Sequence, residues 1–385
     1  MRVLLSDAFD LQMGKTPSRN TPQYWGGTNK WVSIADIGNS NKYINSTKEC
    51  ITDEGVKESG IKVVPKGTVI MSFKLSLGKT AITSEDMYTN EAIMAFIDKH
   101  KYSIDTDFLF HLLSGTDWSV GTNKAVLGLT LNKATLSQKQ INIPPLPEQR
   151  HIAAVLDKVS ELIALRKRQL DLLDEMVKAR FVEMFGDPVR NEKGWELYPL
   201  CKYLTVVGGY AFKSDLFLKT GIPVLRIGNI NTGHFQPTNM VYWTDDHSLD
   251  KYAIYPGDLV MSLTGTVGKD DYGNVCILDN SYSKYYLNQR NAKLEISADI
   301  DKMYLSQILR ISAIKKQLTG ISRGVRQANI SNNDILNLII PIPPIELQTQ
   351  FADFVQQVDK SKAAVQQGLD KLNLLKSALM QEYFG

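Results

Sequence analysis

Residues 143–186 read IPPLPEQRHIAAVLDKVSELIALRKRQLDLLDEMVKARFVEMFG. Pro144, Pro145 and Pro147 demand an extended approach, because proline fixes φ, lacks an N–H and disfavours helix in the residue before it. Pro147 then falls in a first helical turn, where the missing donor costs nothing, and Glu148 places negative charge at the positive end of the helix dipole. Apolar residues recur every seven at Leu156, Ile163, Leu170 and Val177, with Ile152, Val159 and Leu173 filling the adjacent stripe. Gly186 suits a left-handed stop, and Asp187-Pro188 closes the helix off. The stretch predicts about 39 helical residues, roughly 58 Å long. One small domain cannot bury such a helix; the heptad spacing says that it packs along another.

The chain ends on a copy, IPPIELQTQFADFVQQVDKSKAAVQQGLDKLNLLKSALMQEYFG. A constant offset of 199 residues pairs Pro144 with Pro343, Gln149 with Gln348, Val159 with Val358, Leu173 with Leu372 and Gly186 with Gly385, without a gap. The copy has its own ladder: Phe351, Val358, Val365, Leu372 and Leu379. Such an internal repeat fixes the architecture before any other signal is read.

The segments before the two helices repeat more loosely. Residues 1–143 suggest strands at Lys30–Ile37, Ile61–Val64, Val69–Phe73, Lys79–Thr83 and Ala92–Ile97, a short helix at Asp105–Leu113, and a strand at Ile141–Ile143. In residues 187–342, Pro223–Ile230 resembles the Trp31 strand, and Pro256–Ser262 resembles Lys66–Ser72. Six residues after each comes Gly-Lys, at Gly78-Lys79 and Gly268-Lys269, read as equivalent β-turns. The expected fold is therefore α+β: mixed α/β domains at 1–143 and 187–342, and spacer helices at 144–186 and 343–385. In the order domain, helix, domain, helix, paired helices must run antiparallel, giving a two-helix coiled coil with an approximate two-fold axis. At ~34 Å per ~10 base pairs, the spacer matches about 17 base pairs of duplex.

A net charge of +3 permits a nucleic-acid partner without demanding one, so any basic face must be local. Cys50, Cys201 and Cys276 stand apart, which argues against a zinc site or disulfide framework and fits a reducing, cytoplasmic setting. The opening MRVLLSDAFD does not read as a signal peptide, and no apolar run reaches membrane-spanning length. Leu77-Gly78-Lys79-Thr80 has the ending of a phosphate loop, but Phe73 stands where its first glycine belongs. Asn142-Ile143-Pro144-Pro145 is one isoleucine away from a methyltransferase-like Asn-Pro-Pro motif, and no glycine-rich cofactor loop precedes it. The five histidines, at 100, 111, 151, 234 and 247, lack metal spacing. No catalytic site, cofactor site or metal site is expected in this chain.

A binding signature remains: basic residues beside glycine and asparagine in expected loops. They are Lys15, Arg19, Lys30, Lys74, Lys79 and Lys124 in the first half, and Lys213, Arg226, Lys269, Arg290, Arg323, Arg326 and Gln327 in the second. Arginine and glutamine can make bidentate contacts to guanine and adenine edges, and lysine suits phosphates. The bland alternative for each is a solvated charge. Arg166-Lys167-Arg168, in mid-helix, reads as solvated face or partner contact.

Together these motifs resemble the specificity subunits of type I restriction-modification enzymes over essentially the whole chain. The resemblance rests on PPLPEQ and PPIELQ, closing in MFG and YFG. It rests also on Gly14-Lys15-Thr16-Pro17-Ser18 with Tyr24-Trp25-Gly26-Gly27, on Gly208-Gly209-Tyr210-Ala211-Phe212-Lys213-Ser214, and on the Gly-Asp-Leu-Val-Met-Ser and Gly-Thr-Val-Gly-Lys segments. Leu347 and Gly67-Thr68 depart from the usual glutamate and Gly-Asp. The resemblance implies two target-recognition domains reading the halves of a split, asymmetric DNA target, with the helices as a ruler. It also implies docking of two methyltransferase subunits that modify adenine N6 with S-adenosylmethionine. Two restriction subunits, bringing ATP and Mg, are a further expected partner. The chain itself would be non-catalytic and away from membranes. The competing reading is a protein scaffold that bridges two partners without reading DNA; a self-contained methyltransferase has no cofactor loop to support it.

Overall fold

The computed structural model describes the backbone of residues 1–39, 42–74, 76–118, 123–125, 128–297, 299–319 and 327–385, and their side chains apart from 123–125, 128–130 and 327. The chain forms two compact units, Met1–Lys167 with Gln367–Gly385, and Arg168–Gln366.

The first unit is built on a five-stranded sheet in the order Phe9–Met13, Ile93–Asp98, Val69–Ser72, Thr80–Thr83, Tyr43–Ile44. A smaller sheet pairs Trp25–Val32 with Glu49–Ile51 and, in parallel, with Tyr88–Thr89. The second unit has Leu204–Gly208, Asn291–Ile296, Leu259–Ser262 and Val275–Ile277 in one sheet. In its other sheet Ile222–Leu225 runs parallel to Tyr285–Leu287. The strand Val69–Ser72, buried throughout, lies between two antiparallel neighbours; Leu259–Ser262 does the same in the second unit. A run of four buried apolar or small residues is what a central strand covered on both faces requires.

The repeat extends to hydrogen bonds. Asp105 caps the helix Thr106–Gly115, and Asp301 caps Lys302–Arg310, each carboxylate accepting from two backbone N–H groups. Just upstream of each long helix, a short helix begins in a reciprocal cap, Asn132 with Thr135 and Ser331 with Asp334. Gln149 is fully buried: its Oε1 accepts from Asp105 N (2.8 Å), and its Nε2 donates to Ser103 O (2.9 Å) and Pro144 O (2.8 Å). Gln348, also fully buried, accepts from Asp301 N (2.8 Å) and donates to Pro343 O (2.7 Å). Each amide thus clamps the first turn of a long helix to its own head.

The long helices span Leu146–Phe185 and Ile345–Phe384, 40 residues each. Within the first unit, Ile152 and Leu156 belong to a core on which Leu379, Met380 and Phe384 pack, and Gly368 lies beside Arg166. Within the second, Phe181 meets Phe351 edge-on at 5.5 Å, and Lys362 Nζ donates to Asp174 Oδ1 (2.6 Å). Rising numbers on one helix meet falling numbers on the other in both units, so the pairing is antiparallel. Of the heptad residues, Ile152, Leu156, Val159, Ile163, Val177, Phe351, Val358 and Val365 are buried; Leu170, Leu173, Leu372 and Leu379 are half-buried.

Four sequence expectations are corrected. The strand expected at Lys30–Ile37 is instead Trp25–Val32, and Ile34–Asn39 is helical, not extended. Asp36 Oδ2 accepts from Ser33 N (2.7 Å) and Ser33 Oγ (2.6 Å), a local bond that competes with the ladder and turns the chain. Its counterpart ends at Leu225, where Arg226 N donates to Asn229 Oδ1 (3.0 Å) and a 3-10 turn at Ile227–Asn229 follows. Ile61–Val64 forms no strand; only Val64 bridges to Met87, because Pro65 has no N–H to extend the pairing. Finally, Gly78-Lys79 does not correspond to Gly268-Lys269. Ser72 Oγ accepts from Lys79 N (3.1 Å), and in the second unit Ser262 Oγ accepts from Asn274 N (3.1 Å). Gly78 and Gly273, at φ +78° and +69°, each donate to the serine carbonyl. The equivalent pair is therefore Gly273-Asn274, and Lys269 belongs to a separate turn in which its N–H bonds Thr266 O.

Candidate nucleic-acid interface

The two units present one loop in common. In the first, Asn90 N donates to Val32 O, Ala92 N to Asn90 Oδ1 (3.0 Å), Ile93 N to Asn90 O, and Phe73 N to Ala92 O. In the second, Asn288 N donates to Leu225 O, Arg290 N to Asn288 Oδ1 (3.2 Å), Asn291 N to Asn288 O, and Leu263 N to Arg290 O. Asparagine is apt because its side chain accepts from the backbone two residues on. Opposite the loop, Gly14 and Gly209 run so close to carbonyls, Thr89 O at 2.0 Å and Asn288 O at 2.3 Å from an added Cβ, that neither tolerates a side chain. The neighbouring position holds Ser33 in the first unit and Arg226 in the second.

In the second unit this arrangement lines a cleft of about 560 Å³ containing Arg226, Asn229, Asn239, Asn288, Gln289 and Arg290, walled by Phe212 and Phe217. Among the described residues no carboxylate lines it. Arg226 donates to Asn239 O, and its Nε is buried without a partner. Lys213 is exposed between the lining residues Phe212 and Ser214. The aromatic wall continues inward, with Phe212 5.1 Å from Trp243 and 5.9 Å from Tyr286.

The first-unit cations are placed differently. Arg19 grips Glu49 through Nη1 (2.5 Å) and Nη2 (2.9 Å) and lies 3.7 Å above the Trp25 ring. That bond holds the Glu49 carboxyl below its ordinary range. Lys30 donates to Asn45 O (2.6 Å) and to Glu85, and Lys15 to Ser59 O (3.2 Å). Lys74 sits 5.2 Å from the Phe73 ring centroid, and Lys79 is exposed. In the second unit Lys269 is exposed. Arg323 and Arg326 lie outside the described residues, as do the side chains of Lys124 and Gln327.

Sequence reasoning missed one polar cluster. His111, buried, lies with Nε2 2.8 Å from Asp157 Oδ1, and Lys42 Nζ donates to Asp157 (2.6 Å to Oδ2) while pairing with Asp107 (2.8 Å). Burial pushes the His111 imidazole down. Burial also raises the Asp157 carboxyl, but the Lys42 and His111 bonds outweigh it and hold that group below its usual value. Nothing in sequence spacing links positions 42, 111 and 157. Among the described residues no group of three or more metal-capable side chains forms, and no helix is long and apolar enough to cross a membrane. The three cysteines are free, and burial lifts the Cys276 thiol to about 12.

The sequence profile of the type I restriction modification DNA specificity domain matches residues 2–175 and again 192–374. The chain belongs to that family. It is similar to the MjaIX specificity subunit of a type I restriction enzyme from Methanocaldococcus jannaschii, at 24% identity over 98% of this chain and 90% of that one. It is 25% identical to the MjaVIII specificity subunit of the same organism, over 93% and 85% of the two chains. Among solved structures, one from a study of complex assembly and conformational transition of the type I R-M system matches with TM-score 0.60 and 19% identity, over 100% and 97% of the chains. The S subunit from M. genitalium matches with TM-score 0.56 and 13% identity, over 100% and 96%. The specificity-family profile thus recurs on both sides of the internal repeat, as the hydrogen-bond correspondences do.

Proposed function

We propose that this specificity subunit reads a bipartite, asymmetric DNA target, one half per unit, and docks two adenine-N6 methyltransferase subunits and, in the full complex, two restriction subunits. S-adenosylmethionine, ATP and Mg belong to those partners, and the chain supplies recognition alone, in the cytoplasm. The observation that carries this reading is the same scaffold built twice, with the cleft-lining positions changed from Ser33 and Ala92 to Arg226 and Arg290. A bridge for identical partners would need the scaffold repeated; it would have no use for two different tips. The 40-residue helices set the gap between half-sites.

Two measurements test it. Affinity of the methyltransferase-bound chain for target DNA should fall linearly with salt on logarithmic axes, as released counterions require; flat binding supports the scaffold reading instead. Four residues inserted in both helices, near Leu165 and Ala364, add ~6 Å of rise and should lengthen the non-specific gap by about 2 base pairs. An unchanged gap removes the ruler.

A further inference from the structure

We infer that the cleft of the second unit is a guanine-reading site, with Arg290 as its specificity-determining residue and Arg226 as a fixed second donor. This rests on the DNA-reading function proposed above. The cleft brings two guanidinium groups together with four carboxamides and no carboxylate among the described residues. The clefts elsewhere in the chain include acids, such as Asp174, Asp270, Asp279 and Asp359 in one and Asp36 in another. Two cations without a counter-charge repel each other and await an acceptor-rich ligand.

The guanidinium of Arg290 is exposed and has no side-chain partner among the described residues, whereas Arg19 and Lys30 of the first unit are spent on Glu49 and Glu85. Its backbone is held on both sides, N to Asn288 Oδ1 and O to Leu263 N, and the preceding Gln289 N donates to Tyr210 O (2.9 Å). The held backbone removes the loop's share of the ordering cost, and a planar fork loses less freedom per hydrogen bond formed than a lysine does. Guanine offers O6 and N7 as a matched acceptor pair in the major groove, the commonest arginine contact to a base. Arg226 lines the cleft and keeps one Nη2 bond to Asn239 O with its Nε buried, so its guanidinium is fixed in the wall of the site. At the equivalent positions the first unit has Ala92, which is buried, and Ser33, whose hydroxyl is committed to Asp36. It cannot present the same donors, so the guanine contact belongs to one half-site only.

The test is methylation-site sequencing with the full chain and its methyltransferase, for wild type, R290A, R290Q and R290K. The wild-type target should hold a guanine in the half read by residues 187–342. R290A should relax that one position, lowering discrimination there roughly 5- to 150-fold and leaving the other half intact. R290Q should shift it toward adenine. A wild-type half-site without guanine overturns the proposal. So does a motif unchanged in R290A, or a uniform loss in R290A that R290K restores, which is the signature of a phosphate contact. Exchanging residues 187–342 for those of another family member separates the two levels: if neither half of the target follows the exchange, the DNA-reading function has failed and the cleft assignment falls with it.

Discussion

The loop Asn90-Glu91-Ala92 in one unit and Asn288-Gln289-Arg290 in the other share their hydrogen bonds and differ in what they offer outward. Both use an asparagine carboxamide to hold the residue two positions on, and both feed a strand at the centre of a sheet. One ends in a buried methyl group, the other in an exposed guanidinium. The scaffold therefore constrains the backbone and the asparagine, and leaves the next side chain free to vary. The same division holds at Ser33 and Arg226, where a turn is kept and the side chain is not. Recognition can diverge in this molecule without touching what folds it.

If that division is real, changes to the scaffold should cost stability and changes to the tips should not. The largest effect is expected in the aromatic cluster of the second unit. Phe181 is buried, 5.0 Å from Phe185 and 5.6 Å from Tyr304, and Phe181→Ala should cost about 3–5 kcal/mol in a urea titration. Its partner under the 199-residue offset, Met380, is half-buried, so Met380→Ala should cost less, about 1–2 kcal/mol. Equal losses would contradict the unequal burial. Gln149→Leu and Gln348→Leu should each cost about 2–3 kcal/mol, because the caps Asp105 N and Asp301 N are left unpaired. Hydrogen exchange should then rise first at the head each amide clamps, and a rise confined to the helices would sink the clamp.

Acid should weaken both units more gently. His111 has a depressed folded pKa, so it prefers to be neutral in the fold, and protonation favours the unfolded chain. Stability is therefore present above its unfolded value, about 6.5, and declines as pH falls below it. The Asp157 carboxylate, also depressed and facing Lys42, adds a loss in the same direction at lower pH. Lys376 faces the same group from the second long helix. The matching helix position in the second unit is Gln307, but burial also depresses His234 there, so that unit loses stability in the same direction. Hydrogen exchange below about pH 6 should accelerate around His111, and His111→Gln should remove that acceleration in the first unit while leaving the acid response around His234 in the second unchanged.

The smallest effect is expected at Arg19. Its pair with Glu49 is half-exposed on both sides, so Arg19→Ala should cost at most about 1 kcal/mol. Because that guanidinium is already committed to Glu49 and Trp25, the methylated motif should not change; a relaxed base would return Arg19 to the reading surface.

These contrasts explain what the sequence could and could not disclose. The long helices were legible because heptads and prolines are local patterns, and the gapless offset made each helix confirm the other. Gln149 and Gln348 stood inside the matched segments, and their pairing across the repeat was a signal that their buried role now explains. The match of Gly78-Lys79 with Gly268-Lys269 misled, because identical dipeptides outweighed the serine hydroxyl that actually fixes the register. Likewise composition offers Arg19 and Lys30 as bare cations, and only geometry adds that each pairs with an acid, 30 and 55 residues away.

The most direct test of two different readers on one repeated scaffold is to exchange residues 187–342 for the corresponding segment of another family member and sequence the methylated sites. One half of the target should change and the other, with the gap between them, should stay as it was. A target altered in both halves, or in neither, would contradict it.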